Sequence, residues 1–112
     1  MIDASAIAEI IATYKKYGWT LRRVLLSPAL LEKLGTEKDA LFEGARITAS
    51  VVDGAWFSRP PQQGEVAWEI RYLADTPYAL LVKADEDDPE FDNILHDLEE
   101  QLRDYVAAKQ TA

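Results

Sequence analysis

Several groups of side chains in this sequence have the types and spacing to do chemistry. The first is the run Ala84-Asp85-Glu86-Asp87-Asp88-Pro89-Glu90, directly after an apolar segment. Asp85 and Asp87 have the spacing of a phosphotransfer pair, but the position two beyond Asp87, where that chemistry uses Thr or Val, is Pro89. A calcium loop needs a central glycine and a Glu at its twelfth position, which counted from Asp85 is His96. The run reads more simply as a solvated acidic cap that complements the dipole of the following helix. His96 is the single histidine, with Asp92 and Glu100 four residues to either side on a polar helix face. Those three could meet a metal, or the carboxylates could favour the imidazolium. General acid–base work wants a cleft, and this face looks open.

Glu65 and Glu69 share one strand face with Arg59 and Arg71 nearby. Paired carboxylates serve glycoside hydrolysis, yet this set also makes a cross-strand ladder of opposite charges. There is no nucleophile elbow, no H-E-x-x-H, no phosphate-binding loop and no dinucleotide fingerprint. No catalytic residue, no metal ligand and no cofactor is expected. Cysteine is absent, which removes disulfides, thiolate metal sites and cysteine nucleophiles and fits a cytoplasmic protein.

The elements that would position these groups are marked locally. Asp3 caps a first helix with Ile7, Ile10, Ile11, Tyr14 and Tyr17 on one side, ended by Gly18. Residues 19–26 read as a strand with poor alternation, because Arg22 and Arg23 are adjacent. Ser27-Pro28 opens a short helix that Gly35 stops, and one further turn holds Leu41 and Phe42. From Ala45 the period becomes two. Asp53-Gly54 has the form of a two-residue hairpin turn, pairing Val51 with Trp56. Pro60 and Pro61 end the returning strand, and "PPQQG" makes a loop. Pairing Arg59 with Glu65 and Ala74 with Tyr78 places Val51, Trp56, Trp68, Ile70, Tyr72, Leu80 and Val82 on one face. Asp88 and Pro89 open a last helix whose stripe includes Phe91, Leu95, Leu98 and Leu102.

The expected fold is a single α+β domain over 1–112. Its antiparallel sheet has four or five strands, and the N-terminal and C-terminal helices pack on one face. No apolar run approaches the roughly 20 residues of a membrane span. The N-terminal segment opens on Asp3 and holds its first cations at Lys15 and Lys16, the reverse of a signal peptide. Net charge is −8. All of it arises after Ala84, where Asp85, Glu86, Asp87, Asp88, Glu90, Asp92, Asp97, Glu99, Glu100 and Asp104 face only Arg103 and Lys109. Nucleic acid and anionic membrane are therefore poor partners.

Trp56 and Phe57 point to opposite sides of their strand. With Trp56 claimed by the core, Phe57 falls on the outer face with Leu73 and Leu81, rimmed by Arg59, Glu65, Glu69, Arg71 and Lys83. An apolar centre inside a charged rim has the pattern of an interface, here between two copies of the chain. Cover by the helix at 28–34 or by the turn at 41–42 is the competing reading. A second function class is a small-ligand protein or small enzyme with a pocket between helices and sheet. Trp19, Trp68, Tyr72 and Tyr78 would line it, and Arg22 or Arg23 would supply charge.

The segments "AWFSRP" and "AWEIRYL" resemble small uncharacterised bacterial proteins that carry an aromatic hairpin of this type, over residues 45 to 84, a likeness that implies no activity. Size, acidity and α+β content are also similar to those of small acidic secretion chaperones, which bind partner chains as homodimers. The element order departs from theirs, since a helix follows the first strand and the later strands run without interruption.

Overall fold

Thirteen residues from Ala4 to Lys16 form α1, whose N-cap Asp3 accepts a hydrogen bond from the Ala6 amide at 2.8 Å. The structure is a computed structural model that describes residues 1–61 and 64–111, so Gln62 and Gln63 of the expected loop lie outside it. After α1 come β1 (Thr20–Leu26), α2 (Pro28–Leu34), α3 (Glu37–Leu41), β2 (Arg46–Ala49), β3 (Gly54–Arg59), β4 (Ala67–Tyr72), β5 (Ala79–Lys83) and α4 (Phe91–Thr111). Ser27 caps α2 through its hydroxyl, Pro28 takes the first position, and Gly35 at φ 54° closes it. No helix among the described residues is long and apolar enough to cross a membrane.

The strands form one sheet in the order β2-β1-β3-β4-β5. The fold is α+β with a five-stranded, mostly antiparallel sheet and a helix near each end of the chain, as the sequence pattern predicts. The sheet is mixed because β2 runs parallel to β1, Val24 beside Ile47, after the crossover through α2 and α3. Asp53-Gly54 is consequently not a hairpin turn. Asp53 instead ties the start of β3 to the β1–α2 junction, accepting from the Ser27 amide at 2.6 Å and the Ser27 hydroxyl at 3.1 Å. Val51 is left 79% exposed and does not face Trp56.

The other two registers keep the expected faces but slide by two residues. Trp56 lies opposite Ile70 and Arg59 opposite Ala67, because the connection after Pro60 and Pro61 runs on to Val66. Ile70 lies opposite Leu80, and Leu73 leaves the ladder to donate its amide to Asp53 O at 3.0 Å. A slip of two restores the same alternation, so Trp56, Trp68, Ile70, Tyr72, Leu80 and Val82 do share a side.

The terminal helices do not share a side. Phe91, Leu95 and Leu102 of α4 pack over Trp56, Trp68 and Ile70. On the opposite face α1, α2 and α3 pack Ile7, Leu30, Leu34 and Leu41 with Ala55 and Phe57. The physical reason is that β3 is apolar on both sides. Ala55, Trp56 and Phe57 are consecutive and all fully buried, the pattern of a central strand covered twice.

The β1–β3 register slips between Leu21 and Arg23, which accounts for the two adjacent arginines. Both reach the α4 side. The Arg22 guanidinium lies 4.9 Å from the Trp68 ring centre and that of Arg23 5.5 Å from Phe91.

Candidate functional site

The expected interface set divides. Phe57 and Leu73 are 0% and 2% exposed, so they form no surface patch. Their cover is α1 and α2, with Tyr14 stacked on Phe57 at 4.0 Å between ring centres and 14° between planes. Leu81 remains outside, 59% exposed at the middle of β5. Arg59 lies against Trp19, its guanidinium 4.8 Å from the ring centre. Arg71 donates a hydrogen bond to the Tyr72 carbonyl and lines a groove along α1.

The expected pocket set divides as well. Trp68 is buried between Arg22, Phe91 and Trp56, and its indole N–H has no partner among the described residues. Tyr78 stacks on Tyr105 at 3.6 Å, and Tyr72 meets the same ring edge-on at 6.5 Å. Arg22 grips Glu86 through both carboxylate oxygens at 3.0 Å and donates to Ser58, while Arg23 pairs with Asp92. Trp19 lies on the other side of the sheet, packed against the α1 cluster. The seam between α4 and the sheet is therefore filled at Trp68, Tyr72 and Tyr78, and a hollow of about 210 Å3 opens instead where Asp92, His96 and Glu99 of α4 face Arg23, Arg46 and Thr48 of β1 and β2. His96 faces Glu100 at 3.1 Å and Glu99 at 3.9 Å on the outside of α4. Glu99 also accepts the Trp56 indole N–H at 2.8 Å, so this carboxylate holds the core ring in place. Glu65 precedes β4 and is exposed, so the ladder it was expected to share with Glu69 is not formed.

The geometry gathers a different set of residues on the α1 side. Gly18 at φ 88° turns the chain out of α1 into β1, and the Trp19 amide donates back to Tyr14 O at 3.0 Å. That turn brings Tyr14, Tyr17 and Trp19 close together, with Tyr14 edge-on to Trp19 at 6.0 Å and 71°. From the sheet, Glu69 stands opposite Phe57 on one neighbour and opposite Leu81 on the other. The Tyr14 hydroxyl donates to the Glu69 carboxylate. Burial raises the Tyr14 phenol above its ordinary value, the bond and charge of Glu69 raise it further, and Arg71 opposes them. Tyr14 is thus a neutral donor at physiological pH and no nucleophile.

Two hollows meet at Tyr14. One of about 390 Å3 runs along α1 between Ile10, Glu9, Arg71 and Asp75. The other, about 230 Å3, is lined by Thr13, Tyr14, Tyr17, Trp19 and Glu69. Sequence reasoning named Trp19 but missed Tyr14, Tyr17 and Glu69 as its companions. The available signal was "YKKYGW", three aromatic residues around a glycine-stopped helix end. Compared with family models, curated proteins and solved structures, the chain matches none.

Proposed function

We propose that this protein acts by binding and not by catalysis, as an interaction module that closes the open half of its sheet against a second copy of itself. The observation that carries this reading is Leu81, 59% exposed on the same side as the buried Phe57. The helices on that side pack around β1 and β3, and the outward residues of β5, Ala79, Leu81 and Lys83, stay exposed. Glu69 and Arg71 on β4 and Lys83 on β5 give the rim both signs of charge, which a two-fold contact can pair. The acidic residues of α4 belong to the opposite face, so such a contact keeps the two acidic helices apart. The packing of Trp68 against Phe91 and of Tyr78 against Tyr105 favours this reading over a ligand pocket at Trp68, Tyr72 and Tyr78. The acidic charge supports a partner other than nucleic acid, and the cysteine-free composition supports work in the cytoplasm.

Light scattering behind a sizing column tests it. Wild type runs as a dimer at micromolar concentrations, and Leu81→Asp runs as a folded monomer. A wild type that is monomeric at every concentration overturns the reading.

A further inference from the structure

The hollow at the end of α1 has a composition that selects one kind of ligand, although its Glu69 also borders the proposed dimer contact. Three of its five lining residues are the aromatic Tyr14, Tyr17 and Trp19, and the one charged lining residue is Glu69. Aromatic faces carry negative quadrupole density and attract cations within about 6 Å of the ring centre. Two of these rings already do so with cations of the chain itself. Arg59 lies over Trp19 at 4.8 Å and Lys16 over Tyr17 at 5.8 Å.

Charge and hydrogen bonding narrow the class. An anion would meet the Glu69 carboxylate without a compensating cation among the lining residues. A neutral apolar group would strip water from that carboxylate and return nothing. A bare ammonium brings three donors that each need an acceptor. Here the Thr13 and Tyr14 hydroxyls give their protons to Glu9 O at 2.8 Å and to Glu69, so their oxygens can still accept, but the lining is chiefly apolar and three of its five residues are aromatic. An alkylated ammonium needs few acceptors, sheds its water easily and spreads its charge over methyl groups that pack on rings. The 230 Å3 hollow equals nearly eight liquid-water volumes, at roughly 30 Å3 each, and so has room for such a head.

We propose that the recess of Tyr14, Tyr17, Trp19 and Glu69 binds the alkylated ammonium head of an organic cation. That head is carried either by a small molecule or by a methylated lysine side chain, and the same chemistry recognises both.

The test is titration calorimetry on the full chain. The probes are choline, its neutral isostere 3,3-dimethylbutan-1-ol, and one peptide with and without trimethylation of its lysine. Choline or the trimethylated peptide binds saturably, at least about tenfold more tightly than its neutral or unmethylated counterpart. Tighter binding of the peptide assigns the source to a protein chain, and tighter binding of choline assigns it to a small molecule. Tyr17 is 64% exposed, so Tyr17→Ala keeps the wild-type melting temperature while weakening binding several-fold. Glu69→Gln narrows the preference for choline over the isostere. Equal binding of choline and isostere overturns the proposal, as does an absence of saturable binding by every probe. Unchanged affinity in a folded Tyr17→Ala places any binding elsewhere and also overturns it.

Discussion

Tyr14 and Phe57 stack face to face at 4.0 Å, and the same tyrosine donates its hydroxyl to Glu69, the β4 neighbour of Phe57. One side chain of α1 thereby covers the second ring of the Trp56–Phe57 pair and ties the helix to two strands. Phe57 is a core residue. Phe57→Ala is expected to cost about 3–5 kcal/mol, as large-to-small aromatic changes in cores do. Urea denaturation followed by circular dichroism measures it. A wild-type midpoint for this variant would show that the ring is not packed where the structure places it.

The Tyr14 phenol titrates above its ordinary value of 10.0, through burial first and Glu69 second. Above about pH 10 the folded state therefore holds a proton that the unfolded chain has released. The stability contributed by this group is complete below pH 10 and is lost as pH rises through the folded value. Tyr14→Phe removes that loss but keeps the smaller one from Tyr72, which burial, Asp53 and Tyr105 push up. Urea midpoints from about pH 8 to about pH 12 should show the gap between wild type and Tyr14→Phe narrowing as pH rises. Parallel curves would mean that the hydroxyl is not held as described.

Gly54 is a packing glycine. A Cβ there would stand 3.1 Å from Leu102 Cδ2 and 3.2 Å from Ile70 Cδ1, both buried side chains. Gly54→Ala is expected to destabilise by about 1–3 kcal/mol through overpacking. Thermal melting checks this, and a neutral or stabilising effect would contradict the close approach of α4 to β3.

Immediately before Gly54, Asp53 satisfies both the amide and the hydroxyl of Ser27. Asp53→Ala leaves that part-buried amide without its partner, at about 1–3 kcal/mol. Asp53→Asn keeps one acceptor oxygen and is expected to lose less. The order of the two midpoints in guanidinium decides the point.

What the sequence made legible was local. Asp3, Ser27-Pro28 and Gly35 act within one helical turn, and the alternation from Trp68 to Tyr72 reports its own strand face. Pairing partners were harder to read, because Asp53-Gly54 carries a hairpin signal while the crossover through α2 and α3 sends β2 beside β1 instead. The slip near Arg22 hid the period of β1. One overlooked cue was readable. Gly54 to Phe57 contains no polar residue, which marks a strand buried on both faces and so argues against an outer surface at Phe57. The recess of Tyr14, Tyr17, Trp19 and Glu69 joins a helix end to a strand more than 50 residues away, and no local spacing announces such a meeting.

The most direct test of the proposed assembly uses a single cysteine, because the chain has none of its own. A two-fold axis beside Leu81 brings the two copies of this residue together, and a disulfide needs Cα atoms about 4.4–6.8 Å apart. Val51, 79% exposed and outside the sheet ladders, serves as the control position. Under mild oxidation Leu81→Cys should form a disulfide-linked dimer quickly and nearly completely, while Val51→Cys stays largely monomeric. Equal rates at the two positions, or a Leu81→Cys chain that remains monomeric, would contradict the dimer.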